Sequence, residues 1–206
     1  MSQVHPIEVE SYRILRSRID LSDLPPLGRA VTERIIHATA DFDYVTDLVC
    51  DEAALAAGVA ALQRGAPVIA DVAMVASGIT KYPVTCKIGD SLAARLARTA
   101  NITLSAAAVR LAFGEAGSGA IWLVGCAPTA LTEIMSRQVE PALVIGVPAG
   151  FVGAAAAKDE LRASGLPALT NVSEKGGSAV AVAAFNALLR IAKGDADPSD
   201  AEQAAR

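Results

Sequence analysis

Aromatic side chains are scarce in this sequence, at 4% of 206 residues, and histidine occurs only as His5 and His37. A histidine-rich metal centre is therefore unsupported. The cysteines, Cys50, Cys86 and Cys126, are odd in number and far apart, which argues against a disulfide framework and against zinc fingers. Reduced thiols packed as small apolar residues are the expectation. Basic residues are not in excess: 18 Lys and Arg against 22 Asp and Glu leave a net charge of −4, the wrong sign for a general nucleic-acid binder. A polyanionic ligand would need a local basic patch. No charge-free apolar run reaches the roughly 20 residues of a membrane span. Met1–Glu10 has neither a basic start nor an apolar stretch, so no signal peptide is expected and the cytoplasm is the expected compartment. The phosphate-binding patterns G-x-x-x-x-G-K-[ST] and G-x-G-x-x-G after a strand are absent, and so is the G-x-S-x-G nucleophile elbow.

What is present is a core-forming chain, 52% hydrophobic and rich in alanine. Helical spacing of Val9, Tyr12, Leu15 and Ile19 predicts a helix over Pro6–Asp20. Further helices are expected to about Thr39 from Leu27, over Asp51–Arg64, from Asp90 to Arg98, and over Thr103–Glu115, Pro128–Gln138, Gly153–Ala163 and Gly177–Ala192. Short apolar runs predict strands at Ala66–Asp71, Ala120–Val124, Ala142–Gly146 and Pro167–Asn171, with Thr85–Ile88 as a weaker one. Strands apolar on both faces and separated by helices imply a parallel sheet covered on each side. The expectation is an α/β fold: one three-layer α/β/α domain over residues 1–193, with a five-stranded parallel sheet. The polar tail, 194–206, is expected to be disordered or loosely helical.

In open α/β sheets ligands bind beyond the carboxyl ends of the strands. Three handovers there are rich in small residues: Gly125–Ala130, Gly146–Gly153 and Lys175–Ala179. Each precedes a predicted helix N-terminus, where free N–H groups suit a carboxylate or phosphate; tight turns that need glycine are the competing explanation. His37, near the end of the second helix, is the candidate for proton chemistry. Its alternative role is to interact with the last helix carbonyls, and the helix C-terminus favours its charged form. His5 reads as a surface residue.

Five stretches, in order along the chain, resemble the precorrin-8X methylmutase family. They are Ser11-Tyr12-Arg13-Ile14-Leu15-Arg16 with Arg34-Ile35-Ile36-His37-Ala38; Gly65-Ala66-Pro67-Val68-Ile69 with Asp71, Met74, Val75 and Gly78; Gly125-Cys126-Ala127-Pro128-Thr129-Ala130-Leu131; Gly146 to Ala154 with Lys158; and Gly176-Gly177-Ser178-Ala179 with Asn186. The resemblance implies a flavodoxin-like fold and a homodimer with its site near the subunit boundary. It implies an isomerase, without a cofactor, that moves a methyl group between adjacent ring C carbons of precorrin-8X, or cobalt-precorrin-8, to give hydrogenobyrinate or its cobalt counterpart. His37 matches the family's catalytic histidine. The substrate's carboxylates would suit arginine forks, hydroxyls and helix N-termini, and the candidates are Ser11, Arg16, Lys81, Thr85, Thr129, Lys158 and Ser178. Solvated surface charge competes for the basic residues and helix capping for the hydroxyls. Cys126 stands where the family commonly has Asn, and Leu104 where several members have Arg, each removing a possible substrate contact. Two alternatives are a non-catalytic corrinoid carrier that hands product to the next pathway enzyme, and an unrelated flavodoxin-like nucleotide binder.

Overall fold

The computed structural model describes residues 5–137 and 140–195. Four parallel strands form its centre: β2 (Val68–Ala70), β3 (Ile121–Val124), β4 (Leu143–Gly146) and β5 (Ala168–Asn171). β1 (Leu48–Cys50) completes a sheet of order β1-β5-β4-β3-β2. Successive strand side chains point to opposite faces, and each face has its own core. Ile121, Leu123, Leu143 and Ile145 pack with residues of α2 (Pro26–Thr39), α4 (Glu52–Gln63) and α10 (Ser178–Lys193). Trp122, Val124 and Val144 pack with α7 (Leu104–Ala116), α8 (Pro128–Ser136) and α9 (Ala154–Ala163). This is the expected three-layer arrangement. No helix among the described residues is long and apolar enough to cross a membrane.

Local chemistry fixes the helix ends. His5 caps α1 (Pro6–Arg18) by accepting from Ile7 N. Asp90 and Thr103 do the same for α6 (Ser91–Ala100) and α7. α2 has no such neighbour, because Pro25 precedes it. Its cap comes from α4, where the Glu52 carboxylate accepts from Leu27 N at 2.8 Å and Gly28 N at 3.0 Å. Glu52→Ala is expected to cost about 1–2 kcal/mol, the range for a lost N-cap, seen as a melting temperature lower by about 2–8 °C.

The sheet differs from expectation at both edges. It is not wholly parallel: β1 pairs antiparallel with β5, Leu48 opposite Asn171. This strand has only three residues, half-exposed on the sheet edge, so it carries no buried apolar run. The predicted strand Thr85–Ile88 reduces to one parallel bridge, Thr85 to Ile69. Thr85 N donates to Val68 O at 2.8 Å and Thr85 O accepts from Ala70 N at 2.9 Å, after which the chain turns away towards Asp90. Two short helices also escape prediction, α3 (Tyr44–Asp47) and α5 (Ala73–Ser77), each too short for periodicity to register. Gly194, at φ 66°, ends α10, and the rest of the predicted tail lies outside the described residues beyond 195.

Candidate active site

His37 sits on the last turn of α2 against the buried face of α1. Its Nδ1 lies 2.8 Å from Ser11 Oγ. Its ring stacks on Tyr12, with centroids 5.0 Å apart and planes 23° from parallel. The Arg16 guanidinium lies over the other part of this group, 5.5 Å from the Tyr12 centroid, and forks onto the buried Glu33 carboxylate at 2.8 and 2.7 Å. Tyr12 and Arg16 share a face of α1 through the i, i+4 relation, with Ser11 beside Tyr12, and Arg34 and His37 share a face of α2 through i, i+3. The hydrogen bond to Ser11 places Nδ1 against protein and not against the last helix carbonyls. That arrangement fixes the ring and directs its other nitrogen, Nε2, away from the Ser11 contact.

Electrostatics reverse the expectation from the helix terminus. Burial, then the positive Arg34 beside it, lower the His37 pKa below the ordinary histidine value, while Glu8 opposes them. Glu8 accepts hydrogen bonds from Arg34, at 2.8 Å, and from Arg190, tying α1, α2 and α10 together next to the ring. Those two guanidiniums and Arg16 gather basic side chains here, paired with the Glu8 and Glu33 carboxylates.

At the strand ends the three small-residue loops do meet. Gly177 N donates to Val147 O at 2.8 Å, and Gly150 N to Glu174 O at 3.0 Å. A Cβ on Gly125 would come within 2.9 Å of Ser178 Cα, which shows how closely that loop approaches α10. Their N–H groups are not all open to a ligand, however. The buried Asp71 side chain accepts from Gly125, Cys126 and Ala127 N at 3.2, 2.8 and 2.9 Å, so the N–H groups leading into α8 are already taken by a protein carboxyl group. Burial pushes the Asp71 pKa up, and these N–H groups pull it back.

The candidate residues therefore fall into separate groups. Ser11 touches His37, whereas Arg16 reaches this group through Tyr12 and Glu33. Lys81 is exposed and shares a cavity with Arg34 and Arg190. Thr85 is exposed at the sheet edge. Thr129, hydrogen bonded to Thr103 at 2.7 Å, and the half-buried Ser178 belong to the strand-end loops. The two departures from the family pattern border this same place, Leu104 following Thr103 and the exposed Cys126 preceding Ala127. Ser178 and Arg190 begin and nearly end the same helix, about 18 Å apart at 1.5 Å per residue. Lys158 is the exception. It is fully buried, and its ammonium donates to Asn171 Oδ1 at 3.0 Å, to Lys175 O at 2.8 Å and to Ser173 O. Burial lowers its pKa to about 8. A side chain so enclosed supports the 171–177 loop from beneath and does not reach a ligand. Sequence reasoning missed Glu8, Tyr12, Arg34, Asp71 and Arg190 as members of these groups. Helical spacing from Ser11 and His37 points to Glu8 and Arg34; nothing local marks Arg190, which arrives from the other end of the chain.

The model of the family described as precorrin-8X methylmutase matches residues 6–191. The chain belongs to that family. With membership goes the reaction class, an intramolecular methyl-shifting isomerase of cobalamin biosynthesis. The chain is similar to the cobalt-precorrin-8 methylmutase of Salmonella typhimurium, 38% identical over 92% of this chain and 96% of that one. It is also similar to the precorrin-8X methylmutase of Pseudomonas aeruginosa, 36% identical over 87% and 91%. Among solved structures, the precorrin-8X methylmutase of Thermus thermophilus superposes with a TM-score of 0.84 at 35% identity, over 93% of this chain and 98% of that one.

Proposed function

We propose that this chain moves a methyl group between adjacent ring C carbons of precorrin-8X, giving hydrogenobyrinate, with His37 as the proton donor. The observation that carries the reading is the clamped ring: Ser11 on one nitrogen, Tyr12 on one face, and burial, with Arg34 beside it, that makes the imidazolium a readier acid. Migration around a conjugated macrocycle needs no protein nucleophile; it needs charge to be redistributed, which a placed proton assists. In this reading Arg16, Lys81, Thr85, Thr129 and Ser178 face the substrate's carboxylates, Lys158 positions the loop that carries Ser178, and no cofactor takes part.

The same reading includes a homodimer, one catalytic domain over residues 1–193 and work in the cytoplasm, with the next pathway enzyme as a receiver of product. Phe151 and Val152, 98% and 91% exposed, and Met74 at 73%, support the dimer, because such apolar exposure is usual at protein contacts. The fold reads as flavodoxin-like: if the Thr85 bridge counts as a shortened strand, the parallel segments, numbered along the chain, lie in the order 2-1-3-4-5.

The test is the visible spectrum of precorrin-8X incubated with the purified protein. Conversion to the hydrogenobyrinate spectrum is the expected result. A shifted but static spectrum would leave the chain a corrinoid carrier, and conversion of cobalt-precorrin-8 alone would reassign the substrate.

A further inference from the structure

Between the last turns of α10 and the turn after α5 lies a cavity of about 190 Å³. Arg34, Lys81, Arg190 and Lys193 line it, with Thr80 and Asn186 as uncharged hydrogen-bonding groups. Asp195 is the one acid among its described lining residues. This is a dense set of cations in a chain whose net charge is −4. Glu8 behind it accepts from both arginines and holds their guanidiniums in place. The Lys193 ammonium donates to Lys81 O at 2.7 Å, a bond that orients the charge without neutralising it. The nearby end of α10 does not compete, since Ile191 O and Arg190 O accept from Gly194 N and Asp195 N. Arg34 precedes His37 by three residues, so the cavity lies one helical turn from the catalytic candidate.

The cavity has room for about six waters at about 30 Å³ each, enough for a carboxylate arm and too little for a macrocycle. We propose that it is an oxyanion subsite that receives one carboxylate arm of the substrate and so fixes how the macrocycle is turned over His37. The need is geometric: a tetrapyrrole presents similar edges in several rotations, and only one brings the migrating methyl group to a given proton donor. Guanidinium forks hold a carboxylate in plane, and the two lysines add charge at the rim. The inference rests on the isomerase reading above.

Lys193→Gln tests it. The KM for precorrin-8X and the Kd for hydrogenobyrinate, from absorbance titration, are expected to rise about tenfold or more, the effect of one charge-assisted contact. Turnover at saturation should change little, Lys193→Arg should restore both constants, and added salt should weaken the wild type more than Lys193→Gln. Equal KM and Kd in wild type and Lys193→Gln overturn the subsite, as does an equal loss in Lys193→Arg. If inorganic phosphate raises the melting temperature of the wild type only while product affinity is unchanged, the cavity takes a free oxyanion and the substrate assignment falls. A wild type that binds product but converts nothing refutes the isomerase reading instead, and the Kd comparison still decides the subsite.

Discussion

Replacing His37 with alanine is expected to slow conversion of precorrin-8X by about 10²- to 10⁴-fold, the usual contribution of a positioned acid. The ring is only half-buried and its contacts are Ser11 and Tyr12, so the melting temperature should fall by no more than about 2–4 °C. Loss of turnover without loss of fold separates a chemical role from a packing one. The pH dependence adds a second check. Burial and Arg34 depress the His37 pKa, so the imidazolium is a smaller fraction than for an ordinary histidine and falls tenfold for each pH unit above that depressed pKa. A reaction that needs this proton slows in the same proportion as pH rises above the depressed pKa and levels off below it. His37→Ala should abolish that limb. Ser11→Ala should keep the limb and lower the rate by about tenfold, because the ring loses one hydrogen bond but not its acidity. Full activity in His37→Ala would move the proton donor elsewhere while leaving the enzyme in place.

Much of this arrangement is legible in the sequence, and the remainder is hidden for identifiable reasons. The central strands announce themselves because Ile121–Val124 and Leu143–Gly146 are buried on both faces and must be apolar throughout. β1 does not, since an edge strand of three residues has neither length nor alternation. His37 and Ser11 stand out by residue type and by resemblance, but their 2.8 Å contact spans 26 positions and depends on how α1 lies across α2. Lys158 misleads for the opposite reason. By resemblance it reads as a contact for a substrate carboxylate, with a solvated surface charge as the alternative, and only the fold shows three acceptors enclosing it. Asp71 belongs to the same class of hidden signal, because its partners lie more than fifty residues on, at the end of the neighbouring strand.

Gly176→Ala is expected to be the most damaging single-atom addition at the strand ends. The new Cβ would stand 2.2 Å from Val147 O and 3.1 Å from Pro148 O, both backbone atoms, at a φ of +143° that L residues rarely adopt. Neither loop can yield alone. The segment 173–177 is joined to 147–150 through Gly177 N to Val147 O and Gly150 N to Glu174 O, and is held below by Lys158 at Ser173 and Lys175 and by Asp47 at Ser173. Separating them breaks those bonds and moves Ser178, the first residue of α10. The cost should be about 3 kcal/mol, combining backbone strain with lost buried hydrogen bonds, and the melting temperature should fall by about 6–12 °C. Gly177→Ala is the informative comparison. Its φ of +118° is also unfavourable, yet a Cβ there meets nothing within 4 Å, so strain acts alone and the loss should be about 1–2 kcal/mol. Equal melting temperatures for the two variants would mean that strain alone governs this junction and that the close approach to Val147 O relaxes freely. A clear excess in Gly176→Ala, with Ser178 displaced and product affinity reduced, would show that two loops must touch for the end of α10 to be in place.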